Sequence, residues 1–527
     1  MRRPGDAAVL VYATPSQQAL NQVPIASSRV RVRVRTGCFT CKTRRVKCDE
    51  TKPHCLRCSQ TGRKCDGYPR DQHPSLLTTS FYSLPFRIPG SQNDRQIFHY
   101  YNIYAARDLC GFSTGSSSFW RQLVFELAFQ LPVVRDVLIA LASIHREYAT
   151  LDPTSSTPKG PSSNTLAQYN KALRRFRVYL SQNADPEKEA VVVCCILFHC
   201  FESVRGEYEW AVKHLDTGIG LLESWYPGTL SSTELLNRTS NVETNIDTLR
   251  ATLIRLDMQL SVFNDHRMPT FALVSKEVAS GQSDCTPSHF QSPVEAQETL
   301  ETLQNWLLRF LIGHTQYKSL PPRAMPYSVS LELDALQIQF ARWDTAFQEL
   351  TQSARSKATE PRAVGLMKTM SFMRLSYSIC VAMLSFSYPQ PAEEPALDMQ
   401  LRTLLSEIEL FLFFQSSSND DANNLLPRSV SCDIGVVMPL FLLAVKCRDA
   451  PLRHRALNTL SKLSRQEGLM NAKTMLGIVV NAMKLEFAGS RFPTERDTPA
   501  VEEWAASIID TAGGYHALAV LLGVERE

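Results

Sequence analysis

The 527-residue sequence has no run approaching the roughly 20 consecutive apolar residues that a membrane-spanning helix needs. Its longest apolar stretch, GVVMPLFLLAV from Gly435 to Val445, contains Pro439 and reads as a buried helix. A secretory signal is also lacking: the apolar run near the start extends only from Ala7 to Ala13 and follows Asp6, so residues 1–35 read as a disordered basic leader. Catalytic signatures are missing as well. There is no P-loop or HExxH, and Gly218 and Gly220 sit in a helical pattern without the third glycine of a dinucleotide fingerprint. Acidic residues are too dispersed to name an acid–base pair. Nothing beyond chain length favours an enzyme, and none is expected.

Acidic residues are scarce in one place. Between Arg29 and Arg70 there are thirteen Lys or Arg against three Asp or Glu, while the whole chain carries only +4. The part beyond residue 70 is therefore mildly acidic. A basic head on an acidic body is the asymmetry expected of a nucleic-acid binder. RVRVRVR, from Arg29 to Arg35, has the period-two alternation of a strand with one basic face. At a terminus it reads rather as an arm that tracks phosphates, reaches a minor groove or serves as an import signal, with a solvated tail as the alternative.

Six of the fourteen cysteines fall between Cys38 and Cys65. Cys38-x2-Cys41-x6-Cys48 is repeated, at an offset of 17 residues, as Cys55-x2-Cys58-x6-Cys65. Disulfide frameworks belong to small secreted domains, and this chain is long and unsecreted in pattern. The other eight cysteines lie scattered in apolar or loop surroundings and read as small core residues. A C-x2-C pair presents two sulfurs to one ion, as in zinc sites. Two separate tetrahedral ions need eight ligands; six suffice only if two sulfurs bridge. His54 fits no ligand position.

This spacing resembles that of the fungal Zn₂Cys₆ binuclear cluster transcription factors. The resemblance implies two Zn2+ ions per chain, with Cys38 and Cys55 bridging, Cys41 and Cys48 completing one shell, and Cys58 and Cys65 the other. It further implies double-stranded DNA as partner, a nuclear location, and a basic pair reading a CGG-type triplet. That pair falls on Arg44 and Arg45, where many relatives carry lysine. Arginine can bind guanine O6 and N7 through two hydrogen bonds. Lys42 and Lys47 are assigned to phosphates, which position without specifying sequence. A short helix is expected between the second and third cysteine of each half, KTRRVK and SQTGRK, with the first entering the major groove. The rival reading is a zinc-stabilised module that recruits other proteins without reading bases.

The module is expected over 36–68 and a proline-rich linker over 69–93, with no a/d heptads to support a coiled coil there. A homodimer contact is left to the body. From about Asp94 to the end, apolar residues recur at three- and four-residue intervals, giving a mostly α chain of helical hairpins over 94–527. Stretches such as FHYYNIYAARDL and LFHCFESVRGEYEWAVKHLDTGIGLL resemble the fungal-specific regulatory domain that follows such fingers, which implies transcriptional coregulators as partners and target genes in metabolic or secondary-metabolite clusters. Cys194, Cys195, His199 and Cys200 read as core. QSSSNDDANNLLP and the C-terminal LAVLLGVERE are weak candidates for effector contacts.

Overall fold

A computed structural model describes residues 38–67 and 88–487, with interruptions at 112–116, 152–159, 229–243, 264–266, 319, 321–323, 358–359, 389–393, 417–427 and 448. The basic leader with its arginine–valine arm, most of the linker, nearly all of 415–427 and the C-terminal LAVLLGVERE lie outside the described residues. The chain divides into two compact units at residues 83 and 84.

Among its described residues, the first unit holds two five-residue helices, α1 (Phe39–Thr43) and α2 (Leu56–Gln60). The second is built almost wholly of helices. Its first, α3 (Gln92–Tyr100), opens on a reciprocal cap: the Ser91 hydroxyl accepts from the Asp94 amide and the Asp94 carboxylate from the Ser91 amide, each at 3.1 Å. A wider turn over Tyr101–Ala105 leads into α4 (Ala106–Leu109). Then come α5 (Val124–Gln130), α6 (Pro132–Thr150), α7 (Ser163–Gln182), α8 (Lys188–Arg205) and α9 (Tyr208–Trp225). Pro132 starts α6 where no amide partner is needed. Consecutive helices pair as hairpins, α6 with α7 and α8 with α9, and α6 also packs on α8.

The sequence VVVCCILFHCF has no polar face, so α8 is enclosed by its neighbours. Cys194, Cys195 and Cys200 are core side chains there, and buried His199 donates from Nδ1 to the Ala211 carbonyl at 2.9 Å. That is the core placement expected of them.

The chain continues through α10 (Asn245–Phe263), α11 (Lys276–Ala279), α12 (Pro293–Gly313), α13 (Tyr327–Lys357), α14 (Glu360–Ser387) and α15 (Glu394–Ser416). α12 touches α10, α13 and α14. The last helices of the described residues are α16 (Val437–Lys446), α17 (Ala450–Lys462) and α18 (Ala472–Phe487). Among the described residues no helix is long and apolar enough to cross a membrane.

A small sheet joins these last elements. β1 (Ser429–Ser431) runs parallel to β2 (Arg465–Glu467), and β2 antiparallel to β3 (Met470–Asn471). Its main product is the position of Glu467, which is almost fully buried. The Glu467 carboxylate accepts from the amides of Gly435, Val436 and Val437 at 3.0, 3.1 and 2.9 Å. These amides open α16 and have no helical acceptor. Arg465 Nε stands 3.4 Å from the same carboxylate.

Candidate metal centre and nucleic-acid interface

Each short helix of the first unit begins on a cysteine. Cys38 caps α1, its sulfur accepting from the Cys41 amide at 3.3 Å; Cys55 caps α2 in the same way from Cys58 at 3.3 Å. The 17-residue repeat of the sequence is also a repeat of structure. Equivalent residues meet across it: Cys38 and Cys55 sulfurs at 3.6 Å, Cys41 and Cys58 at 3.8 Å, and Arg44 Nη1 to Thr61 Oγ1 at 3.3 Å. These positions are spaced by three along each chain segment, so they share one face. The two halves also brace each other through equivalent aspartates. Asp49 accepts from the Leu56 and Arg57 amides, both at 2.9 Å, and Asp66 accepts from the Thr40 hydroxyl at 2.8 Å. The Thr51 hydroxyl and these amides hold the Asp49 carboxyl below the usual carboxylate range.

Six sulfurs form two sets of four, Cys38, Cys41, Cys48, Cys55 and Cys38, Cys55, Cys58, Cys65, with ligand atoms of each set within 4.8 Å of one another. Cys38 and Cys55 belong to both. Exposed His54 belongs to neither. An all-sulfur donor set with this convergence suits zinc. Backbone amides are aimed at the sulfurs: Cys48 receives from Cys38 and Glu50, each at 3.4 Å. At the equivalent place, hydrogen bonds from the Cys55 and Gly67 backbone bring the Cys65 thiol down to about 7. Burial pushes Cys38 up to about 12 and raises Cys41 and Cys55 too. Buried thiols of this kind become thiolates when a cation displaces their protons.

Lys42, Arg45 and Lys47 are exposed and Arg44 is half-buried. The structure corrects where the helices lie. α1 ends at Thr43 and α2 at Gln60, so the helices span the first two cysteines of each half rather than the stretch between the second and third. Only Lys42 of the four basic residues lies within α1. Arg44 is its C-cap, and Arg45, at φ +57°, takes the left-handed conformation that stops a helix. Gly62, at the equivalent place in the second half, has φ +63°. The same holds for Glu50 at +62° and Gly67 at +76°. A cysteine cap at one end and a left-handed residue at the other leave room for little more than one turn.

Sequence reasoning missed the Arg44–Thr61 contact and the Asp49 brace. The 17-residue offset is the signal that pairs Arg44 with Thr61 and Asp49 with Asp66.

Comparison with known proteins finds two family models along the chain. The fungal Zn(2)-Cys(6) binuclear cluster domain matches residues 36–75, and the fungal specific transcription factor domain matches residues 96–482. An aspercryptin biosynthesis cluster-specific transcription regulator of Emericella nidulans is 27% identical over 315 residues, covering 54% of this chain and 48% of that protein. The transcription regulator lscL of Purpureocillium lilacinum is 24% identical over 370 residues, 64% of this chain and 84% of its own length. The transcriptional regulatory protein moc3 of Schizosaccharomyces pombe is 65% identical over 37 residues, 7% of each chain. The chain thus spans about half the length of the Emericella protein. No solved structure matches.

Proposed function

Because the chain belongs to the fungal Zn(2)-Cys(6) transcription regulators, we propose that it recognises CGG-type sites in double-stranded DNA and regulates genes read by RNA polymerase II in the nucleus. Two zinc ions organise the module over 36–68, one held by Cys38, Cys41, Cys48 and Cys55, the other by Cys38, Cys55, Cys58 and Cys65. The ions supply a fold to a segment too short for its own core. Arg44 and Arg45, at the C-terminal end of α1, contact base edges, while Lys42 and Lys47 meet phosphates. The helical body over 94–527 is the regulatory part, contacting coregulators and a second copy of the chain. The Emericella relative's name supports a target in a metabolic or secondary-metabolite cluster. The protein is a transcription factor and not an enzyme.

The observation that carries this reading is the sharing of Cys38 and Cys55 by both sulfur sets beside an exposed basic run. The test is zinc content of the full chain, followed by selection from a randomised DNA pool. Two zinc per chain and enriched CGG triplets are expected. Salt-sensitive binding without base preference would instead favour a protein-recruiting or nonspecific module.

A further inference from the structure

The C-terminal half of α12 lines a cavity of about 250 Å3, together with residues of the segment between α10 and α11, Ala279 of α11 and Glu332 of α13. This exceeds the about 150 Å3 that holds benzene, so a substituted ring fits. Met268, Val274, Trp306 and Phe310 give the wall its apolar part, and Trp306 and Phe310 are buried.

The polar groups of the wall are unequally served. Asn305 accepts from the Leu273 amide at 3.3 Å and donates to the Phe271 carbonyl at 3.1 Å. Glu332 accepts from the Trp306 indole at 2.9 Å and stands 3.3 Å from His314 Nε2. Arg309, half-buried, differs. Its Nη1 donates to the carbonyls of Pro269 and Phe271. Nε and Nη2 have no partner among the described residues, and no carboxylate there pairs with the guanidinium, Glu332 included. Arg255, Arg267 and Arg374 of the same unit each stand beside two carboxylates.

The two nitrogens left over are a matched pair. Nε and Nη2 form one edge of the guanidinium fork, whose parallel N–H groups fit the two oxygens of a carboxylate. Trp306 and Gly313, three residues before and four after Arg309, share its face of α12. Gly313 leaves that face open: a Cβ added there would meet only Met268 Cε, at 3.4 Å.

We propose that this cavity binds a small organic monocarboxylate, its oxygens on Nε and Nη2 of Arg309 and an aryl or branched alkyl body against Trp306 and Phe310. A neutral amide offers one acceptor to an edge with two donors. An ammonium meets Arg309 as a like charge. The Glu332 charge in the same wall disfavours a second negative group on the ligand.

The test titrates the full chain by calorimetry at pH 7 with benzoate, its neutral isostere benzamide, benzylamine and inorganic phosphate. Benzoate is expected to bind about tenfold or more tightly than benzamide, since charge-assisted hydrogen bonds are roughly twice as strong as neutral ones. Benzylamine and phosphate should not bind measurably. Arg309→Lys keeps the charge but loses the fork, and should weaken benzoate about tenfold. Because Arg309 also holds the segment before α11, a second variant leaves it in place. Gly313→Glu sets a carboxylate four residues on, within reach of the guanidinium, and glutamate suits a helix better than glycine. It should abolish benzoate binding. No binding of benzoate, equal or tighter binding of benzamide, benzylamine or phosphate, or benzoate binding indifferent to Arg309→Lys and Gly313→Glu would each overturn the proposal. None of these outcomes bears on DNA recognition by the zinc module.

Discussion

Arg45 is the sharpest point at which the proposed reading and the backbone can be separated. It holds a left-handed conformation, φ +57°, that its counterpart in the second half reaches with Gly62. For a residue with a Cβ this conformation costs about 1–2 kcal/mol relative to the right-handed one. Glycine escapes that cost but loses about 0.5–1 kcal/mol more backbone entropy on folding. No atom lies within 4 Å of a Cβ built at Gly62, so backbone conformation alone sets the difference in that half. Replacing Arg45 by Gly rather than by Ala should therefore favour the folded module by about 0.5–1 kcal/mol, a two- to fivefold gain in apparent zinc affinity. Both changes remove the guanidinium, so both should lose about tenfold or more in discrimination between CGG and scrambled probes. The assay pairs a chelator competition for zinc with fluorescence anisotropy on labelled duplexes. Glu50→Gly against Glu50→Ala is the control, since Glu50 shares the left-handed backbone without a proposed base contact. If Arg45→Gly held zinc more weakly than Arg45→Ala, the strain argument would be wrong. If either variant kept full discrimination, Arg45 would not be a reader.

Two further outcomes follow from the helical body. Glu467→Ala strips three buried amides of their acceptor, so unfolding in urea should show a loss of about 3–5 kcal/mol; a loss under about 1 kcal/mol would deny the carboxylate that role. Burial lowers His145 and His199 to about 4 each, so the folded body binds fewer protons than the unfolded chain between that value and the ordinary 6.5. Stability should therefore fall as pH drops from 6.5 towards 4, by about 3 kcal/mol per histidine at most. Asp108, raised by burial to about 6, works in the opposite direction over part of that window. All six tryptophans lie beyond residue 119, so their fluorescence reports the body alone, and a flat urea midpoint between pH 6.5 and 4.5 would refute the balance.

The zinc module was legible because its chemistry is written at fixed spacing. Six cysteines in a repeated pattern required two sulfurs to be shared, and the family resemblance put that sharing on Cys38 and Cys55. The end of α1 was not legible from residue type, since Arg45 carries no sign of a left-handed backbone; only comparison with Gly62, which follows α2 at the equivalent place, reveals it. In the body, α6, α8 and α9 followed from apolar spacing over 18 or 19 residues. The three strands escaped notice because two or three residues hold no period, and β2, Arg-Gln-Glu, reads as surface although it is buried. The cavity beside α12 escaped notice because its lining residues come from separate segments of the chain.

The carboxylate that completes α16 comes thirty residues after the amide of Val437. A ribosome making this chain therefore releases an apolar helix well before the group that satisfies its first amides. Until residue 467 clears the exit tunnel, VMPLFLLAVK is a segment for chaperones to shield. A chain ending between these points would leave the first amides of that apolar helix without their buried acceptor.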